Sequence, residues 1–184
     1  MVLAICIASG ASLTKEDVEY CRGKGKVYAV KECWKLAPWA DVLYAADDDW
    51  WDHYDGVKEF QGERWTCNER AAQRHGINHI PYNSDLVWGT DNVIATGGNS
   101  GFQALNLAVM QGAEKVVLLG YDMGFQGNKH WWTGQMQRNI RPSNYEDWIK
   151  KFNKAAPLIP VPVINCTRST ALECFERKPL HEVL

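Results

Sequence analysis

Residues 2–8, VLAICIA, form an unbroken apolar run that stops at Ser9-Gly10-Ala11-Ser12 and passes into Thr14-Lys15-Glu16-Asp17. A run this short, apolar at every position, predicts a strand buried on both faces, the kind found in parallel sheets. Thr14 predicts an N-cap for a helix reaching about Arg22, and Gly23 and Gly25 end it. VYAV (27–30) is then a second strand, a short helical turn spans residues 32–36, and DVLYAAD (41–47) is a third strand after Pro38. Strand, helix and strand with short connections predict an α/β fold with a doubly wound, mostly parallel, Rossmann-like sheet. The 184 residues suit a single domain.

The middle of the chain carries weaker signals. Residues 47–65 predict a loop with a short helix, and RWTCN (64–68) and NHIPYN (78–83) predict strands about a helix over 69–75. The pattern sharpens at TGGNSG (96–101), which leads into FQALNLAVMQG. Ala104, Leu105, Ala108 and Val109 share one helical face there, and Gly112 supplies a stop. KVVLLGYD (115–122) reads as a buried strand running into a glycine-bearing loop, and residues 124–142 as an irregular, mobile loop. Ser143 and Glu146 have the spacing of a capping box for a helix to about Lys154. VPVINC (161–166) is the last expected strand, with residues 167–184 packing back on the body.

Composition removes several function classes. The apolar (46%) and charged (23%) fractions are those of a folded globular protein, not a disordered one. The net charge of −2 supplies no general attraction for duplex nucleic acid, and no basic stripe with interleaved aromatics is present, which leaves only a local basic groove open for nucleic acid. No apolar run approaches the roughly 20 residues of a membrane span, so no membrane partner is expected. MVLAICIASG lacks the basic start of a signal peptide and reads as a strand. Cys6, Cys21, Cys33, Cys67, Cys166 and Cys174 contain no C-x-x-C pair. Scattered thiols of this kind fit packing roles in a reducing, cytoplasmic setting. A homo-oligomer is compatible with all of this. Nine tryptophans are the oddity; Trp50, Trp51, Trp88, Trp131 and Trp132 sit beside polar residues, where they suit either a lid over a flat ligand or a small core.

Ligands of doubly wound sheets bind beyond the carboxyl ends of the strands. Four loops are expected there: residues 9–14, 47–51, 96–101 and 120–132. In the first, backbone N–H groups with Ser9, Gly10 and Ser12 make either a phosphate cradle or a tight turn with an N-cap. It is neither G-x-G-x-x-G nor a Walker A loop. The second glycine turn offers Gly98, Asn99, Ser100 and Gly101 for close approach to sugar or base, or for close helix–sheet packing. Two such turns before two helices favour a nucleotide ligand. Asp47, Asp48 and Asp49 suit magnesium or a solvated surface. Asp122 is placed to orient a substrate or to cap a turn. His130, between Lys129 and two tryptophans, is the best candidate for a general base, ahead of His53, His75, His79 and His181.

The segments ASGASLT, AVKECWKLAPWADVLYAAD, GGNSGFQALNLAVMQGAEKVVLLGYDM and INCTRSTALECF together resemble small phage-encoded Rossmann-like proteins. More distantly they are similar to the bacterial sialyltransferase and hydroxymethylpterin diphosphokinase (MptE-like) group. The resemblance runs from Val2 to about Phe175 and is thinnest over 52–90. It implies a nucleotide or nucleotide-sugar donor, with Ser9, Gly10 and Ser12 at phosphate and ribose, and Asn99, Ser100 and Gly101 at sugar or base. Three positions depart from the family pattern. Ala11 stands where a proline is common, and Lys31 replaces an asparagine at the nucleotide edge, which fits an additional phosphate or a different donor. His130-Trp131-Trp132-Thr133 lacks the second histidine of a His-Trp-His-Gly loop. The paired tyrosines that assist the leaving phosphate in sialyltransferases have no assigned counterpart; Tyr121 and Tyr145 are near only in sequence. The leading expectation is glycosyl transfer from a nucleotide-sugar to a hydroxyl acceptor, deprotonated by His130. Diphosphate transfer from ATP with magnesium and non-catalytic nucleotide sequestration are the rivals.

Overall fold

The computed structural model describes residues 2–90, 92–124 and 144–184. The VLAICIA run becomes β1 (Leu3–Ile7), buried except at its first residue. Thr14 accepts a hydrogen bond from the Asp17 N–H and starts α1 (Lys15–Tyr20). Next come β2 (Lys26–Val30), a 3-10 turn at Lys31–Lys35 and β3 (Val42–Tyr44). α2 (Asp48–His53), β4 (Glu63–Thr66), α3 (Glu69–His75) and β5 (Asn78–His79) follow. Two short strands, β6 (Tyr82–Asn83) and β7 (Ile94–Ala95), pair with each other and not with the main sheet. α4 (Ser100–Met110), β8 (Lys115–Leu119), α5 (Tyr145–Ala155), β9 (Val163–Asn165) and β10 (Glu176–Arg177) complete the order.

The main sheet runs β10-β9-β8-β1-β2-β3-β4-β5, and all its pairings are parallel. The chain leaves β1 toward β2, crosses back through β6, β7 and α4, and re-enters the sheet as β8 on the other side of β1. The strand order therefore reverses between β1 and β8. A crevice between their outgoing loops is the place where open α/β sheets bind ligands.

Alternate residues of the central strands feed two cores. Ala4, Cys6, Tyr28 and Tyr44 pack with Phe102 and Leu105 of α4 and Phe152 of α5. Ile5, Ile7, Val27 and Leu43 pack with Val18, Trp50 and Trp51 on the opposite face, where Leu180, Val183 and Leu184 also lie. Trp50 and Trp51 are fully buried, which decides their role: they are core residues, not lids. The Trp50 indole N–H donates to the Glu32 carboxylate at 2.6 Å, and that of Trp51 to the Ala45 carbonyl at 3.0 Å. Trp88 is also buried. Trp131 and Trp132 lie outside the described residues.

Several boundaries differ from the sequence reading. NHIPYN divides into strands of two separate sheets, because Pro81 cannot donate to a ladder. The side chain of Asn144 caps α5 by accepting from the Asp147 N–H; Ser143 of the expected box lies outside the described residues. The tail adds β10 to the sheet edge. Among the described residues, no helix is long and apolar enough to cross a membrane.

One ion cluster ties α2 to α3. Asp52 Oδ1 lies 2.7 Å from His75 Nε2, and its other oxygen accepts from Arg74. Hydrogen bonds from His75 and then Arg74 hold the Asp52 carboxyl below the usual carboxylate range. A depressed folded-state pKa stabilises the fold above the unfolded value, and the benefit disappears as pH falls through the folded one. Asp52→Asn is therefore expected to lower the urea midpoint slightly at neutral pH and to match wild type in acid below the carboxyl's titration. An equal deficit at both pH values, measured by urea unfolding, would contradict this.

Candidate functional site

Beyond β1 and β8 the two outgoing loops remain zipped together. The Ala8 N–H donates to Leu119 O and the Gly10 N–H to Gly120 O, both at 2.8 Å. The approach is too close for side chains. A Cβ on Gly10 would lie 2.1 Å from Asp122 Oδ1, and one on Gly120, whose φ is +69°, would lie 2.1 Å from Ala8 O. Into this gap the β8 loop inserts Asp122, which is 4% exposed. The Ser12 N–H donates to Asp122 Oδ2 at 2.7 Å, and the Ser12 hydroxyl donates to Oδ1 at 2.8 Å. The SGAS turn thus binds an anion, and the anion is the protein's own carboxylate. Ser9 stands beside Gly10 in the same turn.

The β9 loop holds Asp122 in place. The Tyr121 N–H donates to Thr167 Oγ1 at 3.0 Å, and the Thr170 hydroxyl donates to Tyr121 O at 2.6 Å. The Ala171 N–H donates to Asp122 O at 2.8 Å. The Asn165 side chain in turn accepts from the Thr167 N–H at 3.1 Å. Thr167, Thr170 and Asn165 were not singled out as site residues from sequence; their only signal was the INCTRST motif. Met123, next to Asp122, has a φ of +50°. A non-glycine residue there stores about 1–3 kcal/mol of strain, which the surrounding bonds must hold.

The other wall of the crevice is the start of α4. Gly97 and Gly98 have φ of +53° and +76°, and a Cβ on Gly97 would lie 2.1 Å from the Phe102 ring. Asn99 caps α4 by accepting from the Phe102 N–H at 2.8 Å. The Ser100 hydroxyl oxygen accepts from the Ala46 N–H at 3.2 Å, joining α4 to the loop after β3. The Tyr121 hydroxyl donates to Gly101 O at 2.9 Å, joining α4 to the loop after β8. Burial pushes the Tyr121 hydroxyl well above its ordinary range, so it stays protonated and serves as a tie between the two loops. The N–H groups of Ser100 and Gly101 take no protein acceptor among the described residues. Such first-turn donors carry the positive end of the helix dipole. Gly98 lies against Trp148 and Lys151 of α5, two residues the sequence reading passed over.

At the β2–β3 edge, Lys31 adopts a φ of +49° and places Nζ 2.5 Å from Asp47 Oδ2. Asp47 precedes α2 without a side-chain cap bond, and Asp48 accepts from the Asp49 N–H. Among the described residues, no group of three or more His, Cys, Asp or Glu is placed to hold a metal ion. Ser9, Gly10, Ser12 and Asp122 therefore meet at the β1–β8 crevice, and Gly98, Asn99, Ser100 and Gly101 form the adjoining wall. Lys31 and Asp47 pair at the end of the same edge. His130 lies outside the described residues.

No protein-family model and no curated protein matches this chain. A solved structure, the MAf glycosyltransferase from Magnetospirillum magneticum AMB-1, matches 98% of the chain with a TM-score of 0.69 at 11% sequence identity. The match covers 34% of that protein, so the chain spans about a third of its length. The likeness shows a shared α/β fold.

Proposed function

We propose that this protein is a nucleotide-dependent transferase of the glycosyl-transfer type, with a nucleotide-sugar donor and a hydroxyl acceptor. One observation carries the reading. The loops after β1 and β8 and the first turn of α4 converge where the strand order reverses, and that first turn presents the Ser100 and Gly101 N–H groups without a protein acceptor among the described residues. The motif resemblance to phage-encoded and sialyltransferase-like proteins supports it, as does the fold likeness to a glycosyltransferase.

Charge divides the site. Asp122 makes the β1–β8 side negative, which suits the hydroxyls of a ribose and repels phosphate. The α4 N-terminus, with Lys31 at the same edge, suits the donor phosphates. Asp122 is thus a positioning residue for the SGAS turn and a partner for donor hydroxyls. Deprotonation of the acceptor is assigned to His130 on its sequence context. Glycosyl transfer is preferred over diphosphate transfer because Asp47, first of the acids that would carry magnesium, is paired with Lys31.

A thermal-shift panel of nucleotides and nucleotide-sugars tests the reading. A true donor at about 100 times its Kd adds about 2.7 kcal/mol of stability and raises Tm accordingly. His130→Ala is expected to retain that shift and lose turnover. A panel without a single Tm increase, or full turnover in His130→Ala, contradicts the respective assignment.

A further inference from the structure

We propose that a cationic cleft on the α1 side of the sheet is an oxyanion site that takes a phosphoryl group, separate from the nucleotide crevice. The cleft encloses about 480 Å³ between α1, the ends of β9 and β10, and the segment that follows β10. That volume falls within the range of small-ligand sites. Arg168, Arg177 and Lys178 line it with His181, against the single carboxylate of Asp17. Arg168 is paired with Asp17 and Lys178 with Glu176, so the positive charge that the cleft offers a ligand is chiefly that of Arg177.

The two arginines are prepared differently. Arg168 grips Asp17 through two parallel bonds, Nε to Oδ2 at 2.6 Å and Nη2 to Oδ1 at 2.9 Å. This fork geometry suits an oxyanion, and Asp17 already occupies it, so the ligand is left to Arg177. Arg177 is held by neutral carbonyls instead: one terminal nitrogen donates to Thr167 O at 3.2 Å and Arg168 O at 3.3 Å. It has no carboxylate partner among the described residues. Its charge is therefore fixed in place and uncompensated, with the other donors of its five-donor fork left for a ligand. Lys178 reaches Glu176 at 2.7 Å on the exposed rim. Apart from His181 the lining holds no ring on which a base would stack, so the chemistry fits a phosphoryl group and not a nucleoside. Burial pushes the Cys166 thiol in the lining up to about 11, so it stays neutral and adds no competing negative charge.

The inference stands without the transfer reading, and its test can fail separately. The probe is inorganic pyrophosphate added to the full chain, followed by amide NMR, with acetate as a singly charged comparison. Saturable shifts are expected at residues 166–168 and 177–181, with pyrophosphate binding more tightly than acetate. Arg177→Ala is expected to weaken pyrophosphate at least about tenfold, the scale of one lost charge-assisted hydrogen bond. If that variant fails to fold, Lys178→Ala on the exposed rim carries the test and is expected to weaken binding measurably. Shifts confined to residues 9–13 and 98–101, no saturable shift, or unchanged affinity in the folded variants would overturn the proposal.

Discussion

Gly120→Ala is expected to destabilise the fold by about 3 kcal/mol or more, the sum of left-handed backbone strain and overpacking. The φ of +69° is unfavourable for alanine, and the new Cβ would lie 2.1 Å from Ala8 O. The obstacle is backbone just beyond the β1–β8 strand pair, so no side chain can swing aside. Gly23→Ala is the control. Its φ is +74° with nothing within 4 Å of the added Cβ, so only the backbone preference is lost. That preference is worth about 1–2 kcal/mol. Urea unfolding of both variants separates the effects, and equal losses would show that the β1–β8 loops can part without cost.

The second large effect is expected at Asp122→Ala. The substitution strands the Ser12 N–H and hydroxyl in a site where Asp122 is only 4% exposed. Unsatisfied buried donors and the loss of charge-assisted bonds together cost about 2–3 kcal/mol. Ser12→Ala removes one of the two bonds and is expected to cost less. In a double-mutant cycle the two changes should couple, since they act on one contact. Additive losses, or a change within about 0.5 kcal/mol for Asp122→Ala, the range of an ordinary surface substitution, would show that the carboxylate does not hold the turn.

Much of the fold was legible because its signals are local. The apolar run of β1, the Thr14 cap of α1 and the glycine turn before α4 each declare themselves within a few residues, and α3 spans the expected 69–75. The strand order was not legible beyond its parallel class. Asp122 and Ser12 are 110 residues apart, and no periodicity near either announces that they meet. Trp50 and Trp51 suited either a lid or a core because their neighbours are acidic. Their burial follows from α2 turning its indole face inward while Asp48 and Asp49 stay at the helix start. The polar residues after β9 carried a motif but no visible partner, and their role emerged only when β9 was found next to β8.

The measurement that bears most directly on a nucleotide in the β1–β8 crevice is hydrogen exchange with and without a nucleotide-sugar that raises Tm. Transfer chemistry at this site predicts slowed exchange in peptides covering residues 8–14, 96–103 and 119–124 together, with the far edge around β4 and β5 unchanged. Protection confined to any other surface, with these three loops exchanging as in the free protein, would contradict it.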